Sequence, residues 1–222
     1  MHLPAVTSSP APLASPHGAE PGVPVSVMLL GVRVIAYAVI NIAEHQRRET
    51  AGMGAVINPG LLDRLMDLPV GTWVTDPVVW AEMTDQPRGV VERHEGGAKI
   101  TRRLESPLTI TDVLLDATMG QELRAVQDAS LFAGFTRRWI AATPRRIPDA
   151  AMLEAKLCGV GIVDQGRGQL LPAEKPGGLT RDGWSWLLEE KTYRRWLTRQ
   201  AGNHGLESPA QATDGASGAG EG

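Results

Sequence analysis

The sequence has very few of the side chains that disulfide-bonded and metal-bound folds require. Cys158 is its single cysteine, so an intrachain disulfide bond is excluded. A cysteine at a predicted helix end is typical of a small buried apolar residue, and this sparse usage favours a reducing, cytoplasmic compartment. The five histidines lie at no ligand spacing from one another or from Cys158, so the sequence predicts no zinc site and no other cofactor.

Motifs for nucleotide binding and for nucleophilic catalysis are also lacking. Two glycine pairs, Gly159 with Gly161 and Gly166 with Gly168, do not follow the strand–glycine–helix order of a phosphate-binding loop. A helix stop and a hairpin turn explain them better. No serine lies in a nucleophile-elbow pattern. We therefore identify no catalytic residue, and an enzyme is the less favoured interpretation.

Two tails of low complexity flank the rest of the chain. Residues 1–24 are rich in Pro, Ala and Ser and contain no Lys or Arg, while residues 200–222 are rich in Gly, Ala and Ser. Neither tail can bury enough apolar surface to fold, so both are predicted to be disordered. The first tail also lacks the positive start of a secretory signal. Between the tails, the sequence predicts an N-terminal α+β region at residues 25–117 and a basic region at residues 121–199.

The N-terminal region begins with the most apolar run of the chain, Val25 to Ala43. Its length is close to that of a membrane span, but Arg33 near its middle would cost roughly 2.5–3.5 kcal/mol on insertion scales. Many of its residues are β-branched, which favours a buried strand or a tightly packed helix. We favour a core element over a membrane segment and expect no membrane association. Residues 58–105 predict a helix, a short strand, a second helix and a hairpin, and residues 112–117 a further short helix.

The basic region has the clearest pattern of elements. Apolar residues at three- and four-residue steps predict one helix from Leu123 to Ala142, which ends before Pro144. A second helix begins at Asp149, a good N-cap. Two alternating segments, residues 160–165 and 169–172, then predict a β-hairpin.

Helix, turn, helix and hairpin in this order resemble a winged helix, over about residues 121–175. Residues 58–105 show a cruder version of the same outline. The expected fold class is therefore α+β and mostly helical, with short β-hairpins and winged-helix-like units. The resemblance implies that the second helix would lie in the major groove of DNA.

Charge is distributed unevenly along the chain, whose net charge is -3. Residues 1–135 contain 10 basic and 15 acidic residues, whereas residues 136–199 contain 12 basic and 7 acidic ones. Such asymmetry indicates an anionic partner, although a solvated basic face is the alternative. The sequence thus predicts a regulatory or accessory protein that binds DNA. Six residues are its predicted nucleic-acid contacts: Arg137, Arg138, Arg145, Arg146, Lys156 and Arg167.

Two other functions stay open. A final aromatic and basic helix, Arg181 to Arg199, could bind a protein partner or a second copy of the chain. Pro148-Asp149 followed by Glu154-Ala155-Lys156 resembles the PD…(D/E)xK signature of metal-dependent nucleases, in which two carboxylates hold a divalent cation. Here both carboxylates fall on a predicted helix, where a spacing of five residues corresponds to about 500° of rotation. They would not share a face, which counts against the nuclease.

Overall fold

The computed structural model describes residues 22–75, 89–94, 99–117, 120–142, 147–164, 166–177 and 182–204. Most of both predicted tails, the second helix of residues 58–105 and its Gly96-Gly97 turn lie outside these ranges. The nine described strands are β1 Val23–Leu29, β2 Val32–Ile40, β3 Val74–Thr75, β4 Val91–Arg93, β5 Lys99–Arg102, β6 Leu108–Ala117, β7 Arg137–Ala142, β8 Gly161–Asp164 and β9 Gly168–Leu171. The five described helices are α1 Ile42–Thr50, α2 Pro59–Met66, α3 Glu122–Ser130, α4 Asp149–Leu157 and α5 Gly183–His204.

Six strands form one mixed sheet in the order β1-β2-β6-β7-β8-β9. Neighbours at both ends of the sheet are antiparallel, whereas β6, β7 and β8 run parallel to one another. Parallel neighbours need crossover connections, and α3 and α4 supply them. Both predicted regions, 25–117 and 121–199, contribute strands to this sheet. No described helix is both long enough and apolar enough to cross a membrane.

The apolar run Val25 to Ala43 is divided between two strands and the start of α1. β1 and β2 pair from Val23 with Ala38 to Leu29 with Val32. Leu30 and Gly31 connect them with φ values of 50° and 80°. Positive φ at both central residues is typical of the tight turn whose twist matches that of a hairpin. Most of the run therefore lies in the sheet, and Arg33 lies on the exposed side of β2, opposite Met28.

The mostly helical, winged-helix-like fold expected from the sequence is wrong. Helices hold 36% of the described residues and strands hold 33%, because a large sheet dominates the fold. The predicted helix 123–142 is divided into α3 and β7, and residues 112–117 lie in β6 rather than in a helix. Because β7 separates α3 from α4, the helix–turn–helix outline over residues 121–175 is not formed.

A smaller sheet, in the order β3-β5-β4, packs with α2 around a second apolar core. Asn58 caps α2 by accepting a hydrogen bond from the backbone N–H of Leu61, as its Asn-Pro signature predicts. α5 contributes side chains to several cores. Trp186 and Leu187 lie in the core beside the small sheet, Leu188 in the main core, and Tyr193 in a cluster beside β2 and β6. α5 is thus the element that joins the cores.

A buried ion-pair network fixes α5 against α1. The Arg48 guanidinium donates to both carboxylate oxygens of Glu190, at 2.6 and 2.8 Å, and to Glu44 at 2.7 Å. Arg48 and Glu190 are fully buried and Glu44 is almost so. Glu190 also accepts from the backbone N–H of Val56 and from the Trp186 indole. Burial opposes the charge on Arg48, but the two carboxylates outweigh it and raise its pKa.

Acidification should weaken this network through Glu44. Burial disfavours the charged form of Glu44, yet the guanidinium groups of Arg47 and Arg48 outweigh this effect and lower its pKa below the usual 4.5. A carboxyl whose pKa is lower in the folded state stabilises the fold above its unfolded pKa, and this stabilisation is lost as pH falls through the folded pKa. The free energy of unfolding should therefore decrease as the pH is lowered below about 4.5.

Urea denaturation at a series of pH values measures this dependence. Glu44→Gln should be less stable than the wild type at pH 7 and should lose less stability on acidification. Glu49→Gln changes an exposed carboxyl of the same helix and serves as the control. An identical acid response in the wild type and in Glu44→Gln would contradict the prediction.

Candidate nucleic-acid interface

The second half of α5 presents one exposed sector, and that sector is basic. At about 100° per residue, Lys191, Arg194, Arg195 and Thr198 fall within a sector of about 100°, on the opposite side from the buried Tyr193, and Arg194, Arg195 and Thr198 are exposed. Because apolar contacts and the Arg48 network fix the buried side, the orientation of the basic side is fixed as well.

This basic sector forms one wall of a groove of about 650 Å³. The other wall comes from the β1–β2 hairpin, which contributes Arg33. The groove, called the basic groove below, is lined by Ser26, Val27, Met28, Arg33, Lys191, Arg194, Arg195 and Thr198. Arg199 donates to the backbone carbonyl of Pro24 at 3.2 Å and so connects α5 to β1 beside the groove.

The electrostatics of the basic groove are one-sided. Four of the described lining residues carry positive charge, and none of the described lining residues is acidic. None of the four cations forms an ion pair with another residue in the described ranges. The acidic residues of α5 are used elsewhere, because Glu190 binds Arg48 and Glu189 accepts a hydrogen bond from Ser106. Cations without neighbouring carboxylates concentrate positive potential in a concave surface and attract anions.

Two of the sequence-predicted contact residues are engaged within the fold. Arg137 donates to the buried carboxylate of Asp112 at 2.9 Å, and that carboxylate also accepts from the Trp139 indole. Arg138 is buried, and its guanidinium donates to the backbone carbonyl of Gly159 at 3.3 Å. Burial lowers the pKa of Arg138. Nucleic-acid contact through either residue remains a prediction, and it would require these arrangements to change.

The other predicted contacts are distributed over separate elements. Lys156 is exposed on α4, and Arg167 is exposed in the turn between β8 and β9. Arg145 and Arg146 lie outside the described residues. The Asp164 carboxylate accepts hydrogen bonds from the backbone N–H groups of Gly166 and Arg167, which fixes that turn.

The charged nuclease-like residues lie on α4, as the sequence predicts, and Pro148 is at its N-cap. Asp149 is in the first turn, and Glu154 and Lys156 follow on the same helix. Glu154 lies 3.7 Å from the thiol of Cys158. Within the described ranges, no three His, Cys, Asp or Glu residues form a group that could hold a metal ion.

The sequence contained part of the signal for the basic groove. Lys191, Arg194, Arg195 and Thr198 recur at three- and four-residue steps, which predicts a single helical face. They lie in the helix Arg181 to Arg199, for which the sequence predicts a protein partner or a second copy of the chain rather than nucleic acid. Arg33 appeared only as an interruption of an apolar run, and its place opposite α5 depends on tertiary packing.

Comparison with known proteins adds no further assignment. The chain matches no known family model, and no curated protein or solved structure is significantly similar to it.

Proposed function

We propose that the protein binds nucleic acid, DNA in the first instance, through the basic groove between β1 and α5. The observation that supports this function is the convergence of four cations from two elements on one concave surface, where no described carboxylate lies and no described residue forms an ion pair with them. Phosphate groups are the usual ligands of such surfaces, since they release condensed counterions when Lys or Arg neutralises them.

The affinity should fall as the salt concentration rises, and the steepness of that fall should correspond to these four charges. Four neutralised phosphates correspond to a slope of log affinity against log salt of about -3.6 for a duplex or about -2.8 for a single strand. Replacing Arg194 and Arg195 by alanine removes two of the charges. The double variant should bind more weakly at low salt, and its slope should be smaller in magnitude by about 1.4 to 1.8. Fluorescence anisotropy with a labelled oligonucleotide over a salt series measures both quantities.

A matched control removes the same charge from the surface predicted from the sequence. Lys156→Ala/Arg167→Ala should leave the slope near that of the wild type, because both residues lie outside the basic groove. A change of slope in this control alone would assign binding to the surface around α4 instead. Failure of the wild type to bind any oligonucleotide at low salt would contradict the proposal.

A protein partner on the last helix is the second candidate. Its apolar residues Trp186, Leu187, Leu188 and Tyr193 are each at most 4% exposed, which removes most of the apolar surface that such a partner would need. Among the described residues of α5, Trp184 is the large apolar side chain that stays exposed, whereas Arg194, Arg195 and Arg199 are exposed cations, which favour an anionic ligand. A cytoplasmic location, in keeping with the single cysteine, belongs to the same proposal.

A further inference from the structure

The outer side of α4 is apolar although it faces solvent. Leu153 and Leu157 are 59% and 74% exposed. Together with the exposed Ala150 they fall within about 60° of the helix circumference. On the opposite side of α4, Ala151 and Ala155 are buried in the main core. α4 therefore has a second apolar side, which the fold of the described residues leaves exposed.

A leucine of the neighbouring helix extends this apolar side. Leu131 directly follows α3 and is 49% exposed. α3 and α4 contact each other and run in the same direction, because each connects two parallel strands of one sheet. Leu131 and Leu157 thus lie at the same end of two adjacent helices. Exposed apolar side chains grouped in this way are typical of a surface that binds another protein.

Two charges beside the leucines indicate which protein that is. Asp149 and Lys156 lie at opposite ends of α4 but only about 20° apart around it, so they share one flank of the apolar side. A two-fold axis that crosses α4 near Leu153 would place a second α4 antiparallel to the first, with the same flanks together. Lys156 of each copy would then lie beside Asp149 of the other, and the helix dipoles would be favourably opposed. In a parallel two-fold pair these charges would lie on opposite sides of the contact.

From this complementarity we propose that α4 forms the contact of a homodimer, in which two copies of the chain pack antiparallel through Leu153 and Leu157. The basic groove is not part of this contact, because α4 packs on β8 whereas the groove lies beside β1, at the far border of the sheet. The nine residues of α4 span about 13.5 Å. Even with Leu131 the contact is smaller than the standard interface of about 800 Å² on each copy, so association should be weak.

Sedimentation equilibrium at low salt, with protein concentrations up to about 300 µM because a small contact is weak, tests the proposal. The mean mass should rise with concentration from 23.8 kDa towards twice that value. Leu153→Ser/Leu157→Ser should weaken association by at least about tenfold. Leu30→Asn is the matched control, since it removes an exposed leucine from the turn between β1 and β2, where the positive φ suits asparagine.

Exchanging the two charges tests the antiparallel arrangement. Lys156→Asp should weaken association, because two carboxylates would then face each other across the contact. Adding Asp149→Lys should restore it. Position 153 lies beside the two-fold axis, so Leu153→Cys in a Cys158→Ala background should give a disulfide-linked dimer on mild oxidation. Thr198→Cys in the same background, which places the thiol in the basic groove, should not.

A mass of 23.8 kDa at every concentration would overturn the homodimer. Association that survives Leu153→Ser/Leu157→Ser, or that falls equally in Leu30→Asn, would place the contact elsewhere and overturn it too. If the charge exchange does not restore association and Leu153→Cys forms no more covalent dimer than Thr198→Cys, the antiparallel arrangement is wrong. None of these results depends on nucleic-acid binding, so the homodimer and the proposed function can fail separately.

Discussion

Replacing Arg48 with methionine should lower the free energy of unfolding by about 3–5 kcal/mol, the usual cost of breaking a buried ion pair from one side. Arg48 donates to Glu44, to both oxygens of Glu190 and to the backbone carbonyl of Glu105. Without the guanidinium, two buried carboxylates would have lost their main counter-charge. Methionine fills much of the volume, so the loss reports chiefly on charge and hydrogen bonding.

Urea denaturation at pH 7 measures this change. Arg124→Met is a matched control, since Arg124 pairs with Asp128 on the surface of α3 and is 73% exposed. Surface pairs at this spacing contribute about 0.3–0.5 kcal/mol. A loss in Arg48→Met as small as that of the control would mean that the carboxylates find other partners. Such a result would show that the ion-pair network is not what holds α1 against α5.

Replacing Trp139 with alanine should cost a similar 3–5 kcal/mol, as truncation of a large buried aromatic side chain usually does. Trp139 is fully buried on β7 and packs with Tyr37, Leu114 and Ala141. Its indole donates to Asp112 at 2.9 Å, so the truncation also removes a hydrogen bond from a buried carboxylate. The ring lies directly against Gly161, where an added Cβ would come within 2.3 Å of Trp139 Cε3.

Two further variants divide this effect into its parts. Trp139→Phe keeps an aromatic ring and loses the hydrogen bond, so its smaller loss estimates the contribution of the bond to Asp112. Trp184→Ala removes an exposed indole and should change stability by at most about 0.5 kcal/mol. Equal losses from the buried and the exposed tryptophan would contradict the placement of Trp139 in the sheet.

The elements that the sequence predicts correctly are those with local signals. Asn58-Pro59 begins α2, and Gly159, with a φ of 65°, follows the end of α4. Asp149 is the first residue of α4, as predicted, but Pro148 and not Asp149 stands at its N-cap. The strands β8 and β9 form a hairpin, and the predicted turn with Gly166 and Gly168 lies where β8 passes into β9. Each of these signals acts within a few residues of chain, through a cap, a proline or a positive φ. Sequence reasoning can therefore locate them without knowledge of the tertiary fold.

β7 could not be located in this way, because long-range pairing determines it. Phe135 and Trp139 are spaced as in a helix, and this spacing extended the predicted helix through residue 142. In the structure Arg137 lies opposite Asp112, and Trp139 lies opposite both Leu114 and Gly161. A central parallel strand buried on both faces has no strict alternation to identify it. The basic groove depends in the same way on residues distant in sequence, Arg33 and α5.

The position of β1 has a consequence for solubility. Among the described strands it has one neighbour, β2, and so it forms one border of the six-stranded sheet. Borders of this kind expose backbone hydrogen-bonding groups and are the usual starting points of sheet-to-sheet aggregation, which natural proteins suppress with nearby cations. Lys191, Arg194 and Arg195 lie along this border, so two copies that approach through β1 would repel each other. High salt, which screens that repulsion, should make the unliganded protein more prone to associate through β1.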